Sequence, residues 1–213
     1  MTDCLGADND QNRGTILEFK LRITNIISQA QNRIVFTLFS SDILRIQQIV
    51  NIALEQNKRI AIIGRKTQRI VNQAMQLGYL SIPEESLANL RYIDDNNKNN
   101  DKDLVVLVTG ERHEPYFMLQ RMAKGIDRLI HLEKQDTVVV LTNPYLGTEK
   151  MAARTMDIIY RVTTNVKEFN SKLLPFSSAN REEIKQIINM LEPKYVVPVI
   201  GEYRHQYAMR TIA

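Results

Sequence analysis

Apolar and polar positions in this chain switch period repeatedly, and each switch marks an element. Around Leu17 to Ala30 the apolar residues Ile16, Leu17, Phe19, Leu21, Ile23, Ile26 and Ile27 recur at helical spacing. From Arg33 to Phe39 the run IVFTLF is continuously apolar and rich in β-branched and aromatic residues, which predicts a strand buried on both faces. Ile60 to Ile63, Leu104 to Val108, Thr137 to Leu141 and Tyr195 to Val199 read as further buried strands. A helical pattern follows each strand: Ile43 to Gln56, Lys66 to Leu77, Tyr116 to Lys124, Lys150 to Arg161, and Tyr203 onwards. Asn180 to Met190 adds another helix, and Asp94 to Asp103 (DDNNKNNDKD) reads as a solvated loop. Strand–helix alternation with continuously apolar strands predicts an α/β fold, a mostly parallel sheet with helices on both faces.

In such folds the functional loops lie at the C-terminal ends of the strands. Those ends read Ser40-Ser41-Asp42, Gly64-Arg65-Lys66-Thr67, Thr109-Gly110-Glu111-Arg112, Thr142-Asn143-Pro144 and Gly201-Glu202-Tyr203-Arg204. All are polar, and together they are expected to form one wall of hydrogen-bond donors. Ser40, Ser41 and Asp42 supply helix-cap chemistry, and the same hydroxyls and free N–H groups make an anion site. Arg45, one turn on, is placed to reach the same phosphate. Gly64-Arg65-Lys66-Thr67 lacks the GxxxxGK[ST] spacing of a nucleoside triphosphate loop. Glu111, Arg112, His113 and Glu114 have the residue types of an acid–base cluster. With no metal motif or placed nucleophile beside them, they read as surface charge.

Composition narrows the classes. At 213 residues the chain makes one large domain or two small ones. A net charge of +4 permits a phosphate-rich partner without demanding one. The single cysteine, Cys4, excludes an intrachain disulfide and a cysteine-based zinc cage, which suits a reducing cytoplasm. No run approaches the about 18 apolar residues of a membrane span, and the N-terminus has no signal-peptide pattern. His113, His131 and His205 are the only histidines and form no HxH, HxxxH or HExxH spacing, so no local zinc site is expected.

The strand end Pro198-Val199-Ile200-Gly201-Glu202-Tyr203-Arg204-His205 resembles the "PVHGEYRH" signature of the β-CASP metallo-β-lactamase nucleases, above all ribonuclease J. Further matches are collinear with it. Thr2 to Asp8 resembles "SDSTNAD", Phe39 to Arg45 with Ile46-Gln47-Gln48 resembles "FASNxxRxQQ", and Gly64-Arg65-Lys66 resembles "GRS". Val108 to Pro115 resembles "VTGSQGEP", and Asn143 to Lys150 resembles "NPIPGNEK". The resemblance implies a metallo-β-lactamase-side segment with its connecting helix at 1–32. It implies a β-CASP domain at 33–162 and returning metallo-β-lactamase strands and helices at 163–213. It further implies RNA processing and mRNA decay, with zinc or manganese as the family's metal.

Two departures bear on chemistry. The family's metal-binding histidine before the glycine is Ile200 here. The family's "HVSGH" loop aligns with Leu174-Pro175-Phe176-Ser177-Ser178, which puts Ser178 at its catalytic histidine. Serine still donates to phosphate but cannot shuttle a proton near neutral pH. The resemblance thus implies no catalytic or metal-binding residue in this chain. It places phosphate contacts at Ser40, Ser41, Asp42, Ile43, Arg45, Leu174, Pro175, Phe176, Ser177 and Ser178, with Asp3 and Glu202 behind them. This pattern is similar to the catalytically degenerate second ribonuclease J paralogue that some Firmicutes carry beside an active one. The expected role is a cytoplasmic subunit that binds single-stranded RNA and assembles with itself or an active paralogue. The alternative is an active 5′-to-3′ exoribonuclease and endoribonuclease whose HxHxDH metal motif lies upstream of this chain.

Overall fold

The computed structural model describes residues 1–10, 14–64, 67–88, 101–144, 147–169, 174 and 178–213. The chain divides into two compact units, Lys20–Asn170 and Met1–Phe19 with Ser171–Ala213.

The larger unit carries a five-stranded parallel sheet built from β2 (Ile34–Phe39), β3 (Arg59–Ile63), β4 (Leu104–Gly110), β5 (Thr137–Val140) and β6 (Val166–Glu168). The strand order is β3-β4-β2-β5-β6. Four of these strands answer the predicted runs. The fifth, β6, is three residues long and mostly exposed, too short and too polar to carry a period. Central β2 pairs with β4 and β5, with Val35 opposite Val106 and Val138. Those valines pack with Val108, Val140, Leu119, Met122 and Ile159, so α4 (Glu114–Ala123) and α5 (Glu149–Tyr160) cover that face. Ile34, Phe36 and Leu38 point the other way and are also buried, which is why the run IVFTLF shows no alternation. Helix α2 (Ile43–Glu55) lies against β3, and α1 (Ile16–Gln29) and α3 (Thr67–Gln76) complete the helical order of the chain up to β4.

One polar cluster sits inside this unit, at the N-terminal ends of β2 and β5. Arg33 is 1% exposed and holds Asp136 through Nε–Oδ1 and Nη2–Oδ2 contacts of 3.1 and 2.9 Å. Its Nη2 also donates to the His131 carbonyl at 2.7 Å, while Asn32 Nδ2 and the Glu133 N–H donate to the Asp136 carboxylate at 3.0 and 2.8 Å. Each oxygen of the buried Asp136 carboxylate thus accepts two hydrogen bonds. The expected solvated loop ends at a second pair: Asp103 accepts Arg59 Nε and Nη2 at 2.7 and 2.8 Å. Residues 94–100 of that loop lie outside the described residues.

The smaller unit holds β1 (Thr2–Asp3), α6 (Arg181–Leu191), β7 (Pro198–Ile200) and α7 (Tyr203–Ile212). Asn180 and Glu183 form a reciprocal cap that starts α6, with bonds of 2.9 and 2.8 Å. Cys4, Ala7, Ile184 and Met209 make its core. The expected buried strand Tyr195 to Val199 is corrected here. The strand is Pro198–Ile200, pairs in parallel with β1 in a separate two-stranded sheet, and leaves Tyr195 75% and Val199 47% exposed. An apolar run of that length does not distinguish a buried strand from a strand at the edge of a small sheet. Among the described residues no helix is long and apolar enough to cross a membrane.

Candidate functional site

The chain leaves β2 in one direction, over β4, to reach β3, and leaves β4 in the other direction, over β2, to reach β5. Right-handed crossovers then place α2 and α4 on opposite faces of the sheet. Neighbouring strands whose following helices diverge in this way open a crevice at their C-terminal ends, where parallel α/β sheets take their ligands. The crevice lies between Ser40-Ser41-Asp42 after β2 and Glu111-Arg112-His113 after β4. The Ser40 N–H donates to the Gly110 carbonyl at 2.9 Å and ties the two loops together.

Within this crevice Ser40 is buried, Ser41 is exposed and Ile43 is half-buried. Arg45 Nη1 meets Asp42 Oδ2 at 2.8 Å, and the Arg45 side chain is only 7% exposed. Burial pushes the Asp42 carboxyl up, while Arg45 draws it back down. Burial likewise lowers the Arg45 guanidinium, with Asp42 opposing. The two groups therefore offset each other's desolvation, and the geometry gives Arg45 to Asp42 rather than holding it out toward solvent.

The loop after β4 is shaped by α4. Glu114 Oε2 accepts the Glu111 N–H at 2.9 Å, and a Cβ at Gly110 would meet Glu114 Cβ at 2.7 Å. Arg112 takes a left-handed φ of 47°, and His113 packs edge-to-face on Phe117 at 5.2 Å. Glu111, Arg112 and His113 are all exposed, in keeping with solvated charge around a helix start. The end of β5 turns inward: Thr142 accepts the Tyr116 hydroxyl on its carbonyl at 2.9 Å, and its own hydroxyl lies 3.3 Å from that of Thr37. Arg65 and Lys66 lie outside the described residues. Of the five strand ends, four follow strands of the larger sheet, and Gly201-Glu202-Tyr203-Arg204 follows β7 in the other sheet.

In the smaller unit the turn after β7 is held from beneath. The Ile200 carbonyl accepts the Cys4 N–H at 3.1 Å and the Cys4 thiol at 2.7 Å. Burial first, and then the charge of Asp3, raise the Cys4 thiol, which suits a structural donor. Gly201 sits at φ 130°, and a Cβ there would lie 2.7 Å from Cys4 Sγ. The Asp3 carboxylate accepts the Leu5 N–H at 2.7 Å. His205 Nδ1 accepts the Glu202 N–H at 2.9 Å, so neutral His205 carries its proton on Nε2, which faces Asp8 Oδ2 at 3.7 Å. The Glu202 carboxylate pairs with Arg204 at 3.2 Å. Leu174 is buried and Ser178 half-buried, while Pro175, Phe176 and Ser177 lie outside the described residues.

The expected phosphate contacts are thus split between the two units, Ser40 to Arg45 in one and Leu174 to Ser178 in the other. Among the described residues no group of three or more His, Cys, Asp or Glu side chains could hold a metal ion. Ile200, 53% exposed, offers an aliphatic side chain where a zinc site needs nitrogen, sulfur or oxygen. Among the described residues, the donor set does not by itself fit the metal that the resemblance implies. The inward roles of Arg33 and Asp136 and the contact of Asp8 with His205 carry no local mark in the sequence, because the partners lie far away along the chain.

Comparison with known proteins adds identity to this geometry. The family described as "Ribonuclease J, beta-CASP domain" matches residues 31–159, and the "Zn-dependent metallo-hydrolase RNA specificity domain" matches residues 176–211. A protein named Ribonuclease J2 from Bacillus subtilis is 32% identical over 90% of this chain and 34% of its own length. Ribonuclease J 2 of Streptococcus pyogenes is 30% identical over 100% of this chain and 38% of its own. Ribonuclease J 2 of Staphylococcus aureus is 28% identical over 87% of this chain and 33% of its own. The chain thus spans little more than a third of the relatives it matches.

Proposed function

The chain belongs to the ribonuclease J family, and from that premise we propose that it is an RNA-binding, catalytically degenerate member acting in RNA processing and mRNA decay. The observation that carries the reading is Ile200. It stands half-exposed at the strand end where the resemblance expects a metal-binding histidine, inside the segment that matches the RNA specificity domain. Its carbonyl is fixed by Cys4, so the turn keeps its form while the side chain contributes no ligand. Ser178, at the other histidine position, retains a hydroxyl able to donate to phosphate but no group that exchanges protons near neutral pH. Single-stranded RNA is the ligand class, with the exposed Ser41 hydroxyl of the larger unit and the half-buried Ser178 hydroxyl of the smaller unit as donors. A paralogue with an intact metal site, in the cytoplasm, is the partner that would supply cleavage.

The test uses a 5′-labelled single-stranded RNA with zinc or manganese added. Binding seen by fluorescence anisotropy at low salt, with the RNA still intact on a denaturing gel, is the expected result. Metal-dependent shortening of the RNA would instead establish an active nuclease, and absence of binding would remove RNA from the reading.

A further inference from the structure

The larger sheet has a cavity at the end away from the crevice, where β5 and β6 begin. Parallel pairing sets Thr137 of β5 opposite Ile34 of β2, and Lys167 of β6 opposite Val139 of β5. Alternation along each strand then puts Thr137, Val139 and Lys167 on the face of Ile34 and Phe36, away from α4 and α5. The end of α1 lies over this face, and the space between them is a cavity of about 260 Å³. All of its lining belongs to the larger unit.

The lining is more polar than the fold requires. Thr137 is only 8% exposed, and it opens a strand that otherwise reads Val-Val-Val. Among the described residues its hydroxyl has no hydrogen-bond partner, and neither do the side chains of Gln29, Gln31, Asn165 and Lys167 around the same cavity. Buried polar groups are ordinarily partnered, so a ligand is the partner this set lacks. Ile26 and Ala30 add a small apolar wall. The lining holds one cation, Lys167, and no carboxylate. Helix α1 ends at Gln29 with no basic residue in its last turn, so the carbonyls of that turn present partial negative charge. An occupant with N–H donors toward α1 and one anionic group toward Lys167 matches both ends. Primary amides, each a donor and an acceptor, suit the edge of a heterocyclic base. The volume is just under the usual range for drug-sized ligands, which suits one small molecule and not a strand.

We infer that this cavity is a site for one small organic anion carrying hydrogen-bonding groups, of the class of a nucleoside monophosphate. Lys167 takes the phosphate, the amides of Gln29, Gln31 and Asn165 take the base and sugar, and Thr137 closes the floor. The site is independent of the RNA-binding reading, since it lies at the opposite end of the sheet from the crevice.

Isothermal titration calorimetry of the whole chain with the four nucleoside 5′-monophosphates, adenosine and inorganic phosphate tests it. At least one monophosphate should bind one to one, more tightly than adenosine or inorganic phosphate. Lys167→Ala should weaken that binding roughly 10- to 100-fold, as loss of a hydrogen bond to a charged group does. Thr137→Val should weaken it roughly 2- to 10-fold, with a melting temperature level with the parent or higher, because the hydroxyl has no protein partner to lose. No binding of any monophosphate at millimolar concentration would overturn the site, as would a parent affinity kept by Lys167→Ala. Inorganic phosphate binding as tightly as the monophosphates would overturn the organic ligand. Single-stranded RNA should bind the parent and Lys167→Ala alike. A weaker RNA complex in Lys167→Ala would make the cavity part of the RNA path and overturn it as a site of its own.

Discussion

Ile200 is fixed by its main chain and left open by its side chain. Its carbonyl takes two donors from Cys4, yet 53% of the residue faces solvent. A polar ring there buries no unsatisfied group, so Ile200→His should change stability by no more than about 0.5 kcal/mol, as surface substitutions do. The next residue is the opposite case. Gly201 needs a φ of 130° and has no room beside Cys4 Sγ, so Gly201→Ala should cost on the order of 1–3 kcal/mol. Thermal melts of the two variants side by side check both statements. A melting temperature falling as far in Ile200→His as in Gly201→Ala would mean that the side chain packs, and that the position has been rebuilt as core. The sequence carried the turn and the loss of the histidine, because both are local. That Cys4 is the support beneath them depends on the pairing of β1 with β7, which joins residues 196 positions apart and leaves no local mark.

At the scale of elements, four strands of the larger sheet were legible because both their faces are buried, and an unbroken apolar run is the direct trace of that. Strand β6 and strand β1 were not legible, being three and two residues long. Nor was the anchor that joins β2 to β5. Arg33 precedes an apolar run and Asp136 precedes another, but only the parallel pairing of those strands makes them partners across 103 positions. Removing one member leaves the other charge buried, so Asp136→Asn should cost about 3–5 kcal/mol, read as a lower urea midpoint at unchanged slope. The pair joining β3 to the segment before β4 behaves differently, since its side chains are 40% and 42% exposed. Hydrogen bonds from Arg59 hold Asp103 below the ordinary carboxylate range. Its depressed folded value means that this contribution is fully present above about pH 3.9 and fades as the pH falls through the lower folded value. Asp103→Asn should therefore melt slightly below the parent at pH 6, and the gap should close under acid. A gap that did not narrow as the pH fell would show that charge is not its source.

For the molecule as a whole, a net charge of +4 over 213 residues is too small to hold RNA by a broad electrostatic field. On the proposed RNA-binding reading, affinity comes from a few phosphates, so log K against log salt should have a slope near −2, about 0.7 for each of roughly three phosphates on a single strand. A slope steeper than about −5 would place the RNA on a basic surface instead. Metal binding is the sharper test of the whole chain. A structural or catalytic zinc ion needs at least three protein ligands, and the described residues bring no three candidate side chains together. After dialysis, elemental analysis should find less than about 0.1 zinc or manganese per chain. Ile200→His with Ser178→His should leave that figure unchanged, since two imidazoles still fall short of a site. Close to one metal per chain in the parent protein would mean that its carboxylates and histidines assemble a centre after all, and the degenerate reading would give way to the active nuclease.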